Sequence, residues 1–177
     1  SAIANSVLAL EDGDYGGTMG IYFSETEYTA ETMNLTTPPS VFYAYIVLTD
    51  AQVINVLAYE VGITLSSPDA LIVDASGPMG WINFGTAYDH LVGYNDPLPV
   101  NEDGAVVLCR LTCLYDGTDQ VDILMGGSSL ESVPGWDGPV ILDPDDDVLL
   151  VCHLSSGAAG YQDAVAWLNR EVVAIET

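Results

Sequence analysis

Lysine is absent from this chain. Lysine and arginine together number 2 against 26 aspartates and glutamates, a net charge of −24 over 177 residues. A surplus of that size repels phosphate backbones and anionic lipid, which argues against nucleic acid and membrane surfaces as partners. Long apolar runs are missing too: the longest is under a dozen residues, too short to insert across a bilayer as a helix. Histidine is limited to His90 and His153. GxSxG is absent, because GGSSL lacks the closing glycine, and so are HExxH and GxxxxGK[ST]. With no CxxC, a zinc knuckle or a dithiol redox site has no support. No enzyme is expected; catalysis would need distant Ser, His and Asp groups to assemble, or a cleft where acids converge on His90.

What is present is strand. Runs rich in Val, Ile, Tyr and Thr recur, separated by Gly, Pro, Asn and Asp clusters roughly every ten residues. Strands are expected at 6–10, 19–24, 41–49, 53–65, 70–75, 81–84, 90–94, 105–115, 121–125, 140–142 and 148–154, with a closing hairpin tipped by Asn169 and Arg170. Segments 24–39 and 95–104 read as loops. In 53–65 the alternation puts Val53, Asn55, Leu57, Tyr59, Val61, Ile63 and Leu65 on one face. Val41–Thr49 is apolar on both faces and is expected to be central. The pattern predicts an all-β chain: a single antiparallel β-sandwich of Ig-like or jelly-roll type, with roughly 9–10 strands in one domain spanning 1–177. Segment 1–12 is a candidate exchanged or docking strand.

Cys109 and Cys113 share a strand face but lie roughly 13 Å apart at ~3.3 Å per residue, too far to bond to each other. Either can pair with Cys152, leaving one thiol buried or free to link two subunits. Acidic turns are the candidate cation sites: Asp12 and Asp14 in EDGDYGG, acids in NDPLPVNEDG, and Asp143, Asp145, Asp146 and Asp147 in DPDDD. Carboxylates packed this closely suit Ca2+, which takes six to eight oxygens, although a solvated acidic turn has the same composition and no EF-hand loop is present. Trp136, in the Pro/Gly-rich VPGWDGP, is the candidate ligand-stacking residue, with Trp81 and Trp167 as readily core. Asn34-Leu35-Thr36 is a glycosylation sequon.

The order VFYAYIVLTDAQVINVLAYEVGITLSSPDALIVD (41–74), a Gly-rich aromatic middle, then GAVVLCRLTCLY (104–115) resembles the cohesin-like and carbohydrate-binding-module-like sandwiches of bacterial secreted proteins. GTMGIYFSE (17–25) and VAWLNREVVAIE (165–176) extend the likeness. The resemblance implies a sandwich that is extracellular and non-enzymatic. No ligand-contact motif matches, so it carries over no site residue.

Mean hydropathy is +0.30 and the charged fraction is 16%, below the usual ~25%. Part of the apolar surface is therefore expected to be covered by another chain. Without lysine, sheet edges lack their commonest guard against strand addition. These features, with SAIANS resembling the stub left by signal-peptide cleavage, point to a secreted structural subunit that assembles with itself into a filament or surface layer, stabilised by Ca2+. The alternative is a module that binds a polysaccharide or a protein partner in cohesin fashion.

Overall fold

The computed structural model of the chain describes residues 15–158 and 162–172. Its regular structure is β throughout. The strands are β1 (Tyr15–Tyr22), β2 (Thr32–Met33), β3 (Ser40–Thr49), β4 (Asn55–Leu65), β5 (Ala70–Ser76), β6 (Ile82–Asn83), β7 (Asp89–Pro99), β8 (Val106–Tyr115), β9 (Val121–Gly126), β10 (Val140–Asp143), β11 (Val148–Leu154) and β12 (Asp163–Leu168). Asp12, Asp14 and the candidate exchanged strand 1–12 lie outside the described residues.

One layer runs in the order β11-β1-β3-β8-β5, antiparallel except for the parallel pair β1 and β11. The other is built on β4. Ala58, Tyr59 and Glu60 pair with β7 on one edge and with β10 on the other. Beyond them, Gly62–Leu65 pair with β9, so β10 and β9 share one edge of β4 end to end. β6 extends the layer from β7, and β12 and then β2 extend it from β9. The β10–β11 hairpin ties the layers together. The core between them includes Met19, Ile21, Ile46, Leu48, Val61, Leu108, Leu111 and Ile141.

β3 shows how alternation becomes burial. Phe42, Ala44 and Ile46 point into the core, while Val41 and Tyr43 remain 69% and 46% exposed. β3 is central in its layer, as expected, but only one face of residues 41–45 is covered. Both faces are buried only from Ile46 to Leu48, where the register against β8 shifts. In β4 the expected face holds from Tyr59 through Ile63. It fails earlier, because a register shift between Val56 and Ala58 turns Val56 inward in place of Leu57. The loop expected from 95 begins as strand: β7 runs to Pro99, and Leu98 pairs with Val56 in the core. Pro97 falls in the irregular stretch of β7 between Gly93 and Leu98, where no residue pairs with β4, so its missing N–H breaks no ladder bond. Asn169 adopts φ 48°, as a tight turn asks of Asn. The return arm expected after it is not strand at Glu171 and Val172, and 173–177 lie outside the described residues.

The expected pairing with Cys152 does not form: Cys109, Cys113 and Cys152 are all buried free thiols. Cys109 and Cys113 are on β8 and Cys152 is on β11. Three strand spacings in one layer separate them, about 14 Å, where a disulfide needs Cα atoms within about 7 Å. Burial pushes the Cys109 and Cys113 thiols up to about 12 and raises Cys152 further still, so each is protonated and unreactive near neutrality. Ellman's reagent is expected to find no reactive thiol in the native protein and three per chain in guanidinium; one per denatured chain would instead establish a disulfide.

Candidate functional site

The outer face of the β4 layer carries an apolar groove of about 270 Å³. Its floor is Ala58 of β4 with Leu91 and Gly93 of β7, and its sides include Leu142 of β10, Leu149 of β11 and Phe84. Strand alternation puts these residues there: β4 turns Tyr59, Val61 and Ile63 inward, which leaves Ala58, Glu60 and Gly62 outward. Large apolar side chains stand open to solvent around the groove. Phe84 is 78% exposed, Leu130 59% and Leu149 47%. Gly93 lies open, since a side chain begun there would meet nothing within 4 Å.

The remaining wall is the connection 127–139, which has to leave the sheet between β9 and β10 and folds back over β4. Two carboxylates hold it. Glu60 is only 8% exposed, although it stands on the outward face. It accepts the Ser132 N–H at 3.0 Å and the Ser132 hydroxyl at 2.6 Å. Asp89 of β7 does the same for Ser129, accepting its N–H at 3.1 Å and its hydroxyl through the other oxygen. Gly62 lets the loop start close to the strand, because a Cβ there would collide with the carbonyl of Gly127. Leu130, between the two clamped serines, is thereby presented at the groove.

Trp136 fastens the far end of the same loop. Its indole N–H donates to the Pro139 carbonyl at 3.1 Å, and its ring meets Tyr15 edge-on at 6.0 Å. Tyr15 in turn stacks on His153 at 3.6 Å. The candidate stacking residue is thus half-buried, with its polar handle already engaged. Trp81 donates to Tyr59 inside the fold at 3.3 Å, and Trp167 is covered by Arg170 at 3.7 Å.

The DPDDD segment forms the β10–β11 turn. Asp143 is buried and its carboxylate accepts the Asp145 N–H at 3.0 Å, while Asp145 accepts from the Asn55 amide at 3.2 Å. Asp147 occupies φ 54°. The Asp143 carboxylate thus shapes the turn and the Asp145 carboxylate ties it to Asn55 of β4, and among the described residues no three His, Cys, Asp or Glu side chains come together as a metal would need. Asn34 is exposed just after β2. Its neighbour Leu35 is held by Asn169, which bonds both the Leu35 N–H and its carbonyl.

His90 belongs to the core rather than to a cleft. It is fully buried, with Nε2 2.9 Å from the Ala87 carbonyl and Nδ1 3.0 Å from the Tyr59 hydroxyl. A carbonyl only accepts, so Nε2 carries the proton and Nδ1 accepts from Tyr59. The Tyr59 oxygen in turn accepts from Trp81. The neutral ring satisfies every partner, and burial lowers its pKa from the usual value.

No family model matches the chain, and no curated protein matches it by sequence. Its fold, however, is found among solved structures. The sixth cohesin of scaffoldin B from Acetivibrio cellulolyticus, solved in complex with a mutant Cel5 dockerin, superposes with a TM-score of 0.55 at 10% identity over 88% of this chain and 99% of that one. A cohesin module of a family 33 glycoside hydrolase from Clostridium perfringens gives a TM-score of 0.52 at 10% identity, over 89% and 99%. The chain therefore has a cohesin-like β-sandwich fold.

Two outcomes follow from the geometry. Glu60→Ala strands two donors of Ser132, which costs about 1–3 kcal/mol. It should lower the urea midpoint and make 127–139 the first site of limited proteolysis, with Glu60→Gln intermediate. For His90, the unfolded chain takes up a proton near pH 6.5 while the folded ring resists it. Stability is therefore full above about pH 6.5 and declines as pH falls toward the depressed folded value. Urea unfolding across this range should show that decline, and His90→Gln should flatten it.

Proposed function

We propose that the chain is a non-enzymatic protein-binding module that docks a partner on the groove of Phe84, Leu91, Gly93, Leu130, Leu142 and Leu149. The observation that carries this is the exposure of several large apolar side chains around one groove. Such a patch on a soluble chain marks an interaction surface. The supporting likeness is to cohesin modules, one of them solved with a dockerin bound.

Charge specifies the rest of the partner. Glu131 sits between two groove residues, and Asp145, Asp146 and Asp147 cap the hairpin that supplies Leu142 and Leu149. A partner that matches both features has an apolar centre flanked by Lys or Arg. Its arrival is then steered by the field of the chain and slowed by salt. Secretion or display at a cell surface is the setting in which such a module acts. Assembly into a filament would draw on segment 1–12, which lies outside the described residues, and no observation favours it over docking.

The test is a random peptide library panned against the wild-type protein, with Gly93→Phe for counter-selection. Gly93→Phe fills the groove where nothing stands in the way, so the fold is expected to survive. Selected peptides should pair apolar anchors with basic flanks. They should lose affinity about 30-fold or more on Gly93→Phe or Phe84→Ala, as interface hot spots do. Failure to select any peptide, or affinity indifferent to both substitutions, would refute docking at this groove.

A further inference from the structure

The opposite layer has a second built surface, chemically unlike the groove. Tyr45 of β3, Arg110 of β8 and Ser76 of β5 pair across neighbouring strands and so stand abreast on the outer face. One step along, Tyr43, Thr112 and Asp74 repeat the arrangement. The first trio lines an open hollow of about 440 Å³, with Glu25 on its margin. The Arg110 guanidinium lies 4.7 Å from the centre of the Tyr43 ring, which fixes one aromatic face beside the hollow.

The face therefore offers the Tyr45 ring in the hollow, a fork of N–H donors on Arg110 held over the neighbouring Tyr43, hydroxyls that donate or accept, and carboxylates that accept. A polyhydroxylated ring uses all of these at once. Its C–H face packs on an aromatic ring, and its neighbouring hydroxyls donate to a carboxylate and accept from a guanidinium. An apolar peptide leaves Arg110, Asp74 and Glu25 unpaired, at a cost. A polyanion meets the field of a −24 chain with one nearby arginine to offset it. The hollow is open to solvent rather than enclosed, so a ligand longer than one ring can lie on it.

The geometry points to a binding site for a neutral polysaccharide strand on the outer face of β3, β8 and β5, with Tyr45 as the stacking residue and Arg110, Ser76 and Glu25 as its hydrogen-bonding partners. The site stands independently of docking at the groove. A module with both sites would hold a partner protein on one face and a glucan, xylan or mannan on the other.

Native gels cast with hydroxyethylcellulose, xylan or galactomannan test it, with alginate as the anionic control. At least one neutral polymer should retard the wild-type protein, and alginate should not. Titration calorimetry with cello-, xylo- and mannohexaose should then give affinity that falls at least 10-fold in Tyr45→Ala and Arg110→Ala. Tyr45→Phe keeps the ring and should retain most of it, which separates lost stacking from a damaged fold. Gly93→Phe, on the other layer, should bind as wild type. Absence of retardation by every neutral polymer overturns the site, as does retardation indifferent to both alanine variants. Concentration-dependent self-association abolished by Tyr45→Ala would assign the face to a second copy and overturn it too.

Discussion

β4 can give its outer edge to β10 or to β9 at any one residue, but not to both, and the groove follows from that constraint. β10 takes Ala58–Glu60 and β9 takes Gly62–Leu65, so the chain between them has to leave the sheet and come back. Its backbone would be costly to bury without partners. Glu60 and Asp89 supply acceptors for two of its amides and both clamped serine hydroxyls, from neighbouring strands that are themselves paired. The loop is thus a wall with a defined position, although it belongs to neither layer. Leu130 is exposed because the serines on both sides of it are held down.

The same carboxylates show why the site was harder to read in the sequence than the fold. Strands such as 148–154 and the core of 105–115 announce themselves through β-branched residues and short turns, because burial between layers is a local demand on every second side chain. Glu60 announces nothing. By alternation it is an outward acid like many others, and only a loop some 70 residues later in the chain makes it a buried acceptor. Gly93 and Gly62 were equally silent: one floors a groove and the other admits a backbone, and neither role leaves a local pattern. The acidic turn had the opposite fault. DPDDD is conspicuous, yet Asp143 is committed to the hairpin turn and Asp145 to the Asn55 amide of β4.

The cysteines and His90 separate spacing from topology in the same way. Four residues along one strand correctly kept Cys109 from Cys113. Nothing local could say that β1 and β3 would lie between β8 and β11. His90, beside Asp89 and among tyrosines, has the composition of a reactive site. Its ring is instead a neutral link between Tyr59 and a backbone carbonyl, and the adjacent Asp89 turns to the other face to hold Ser129. Alternation along one strand sends the two neighbours to unrelated duties.

Charge and apolar surface are usually opposed, since acids keep a chain dispersed while exposed leucines draw chains together. Here they are segregated. A second copy approaching the groove brings another −24, and the penalty is felt over about 8–10 Å at ordinary salt. A partner with basic flanks meets the same field as attraction. On the proposed docking, the apolar centre supplies affinity and the acids at the groove margin favour a partner with basic flanks over a second copy of the chain. On the outer face of β3 and β8, a neutral ligand carries no net charge for that field to repel. One excess of charge therefore accounts for both the sign of the partner expected on one layer and the neutrality of the ligand expected on the other.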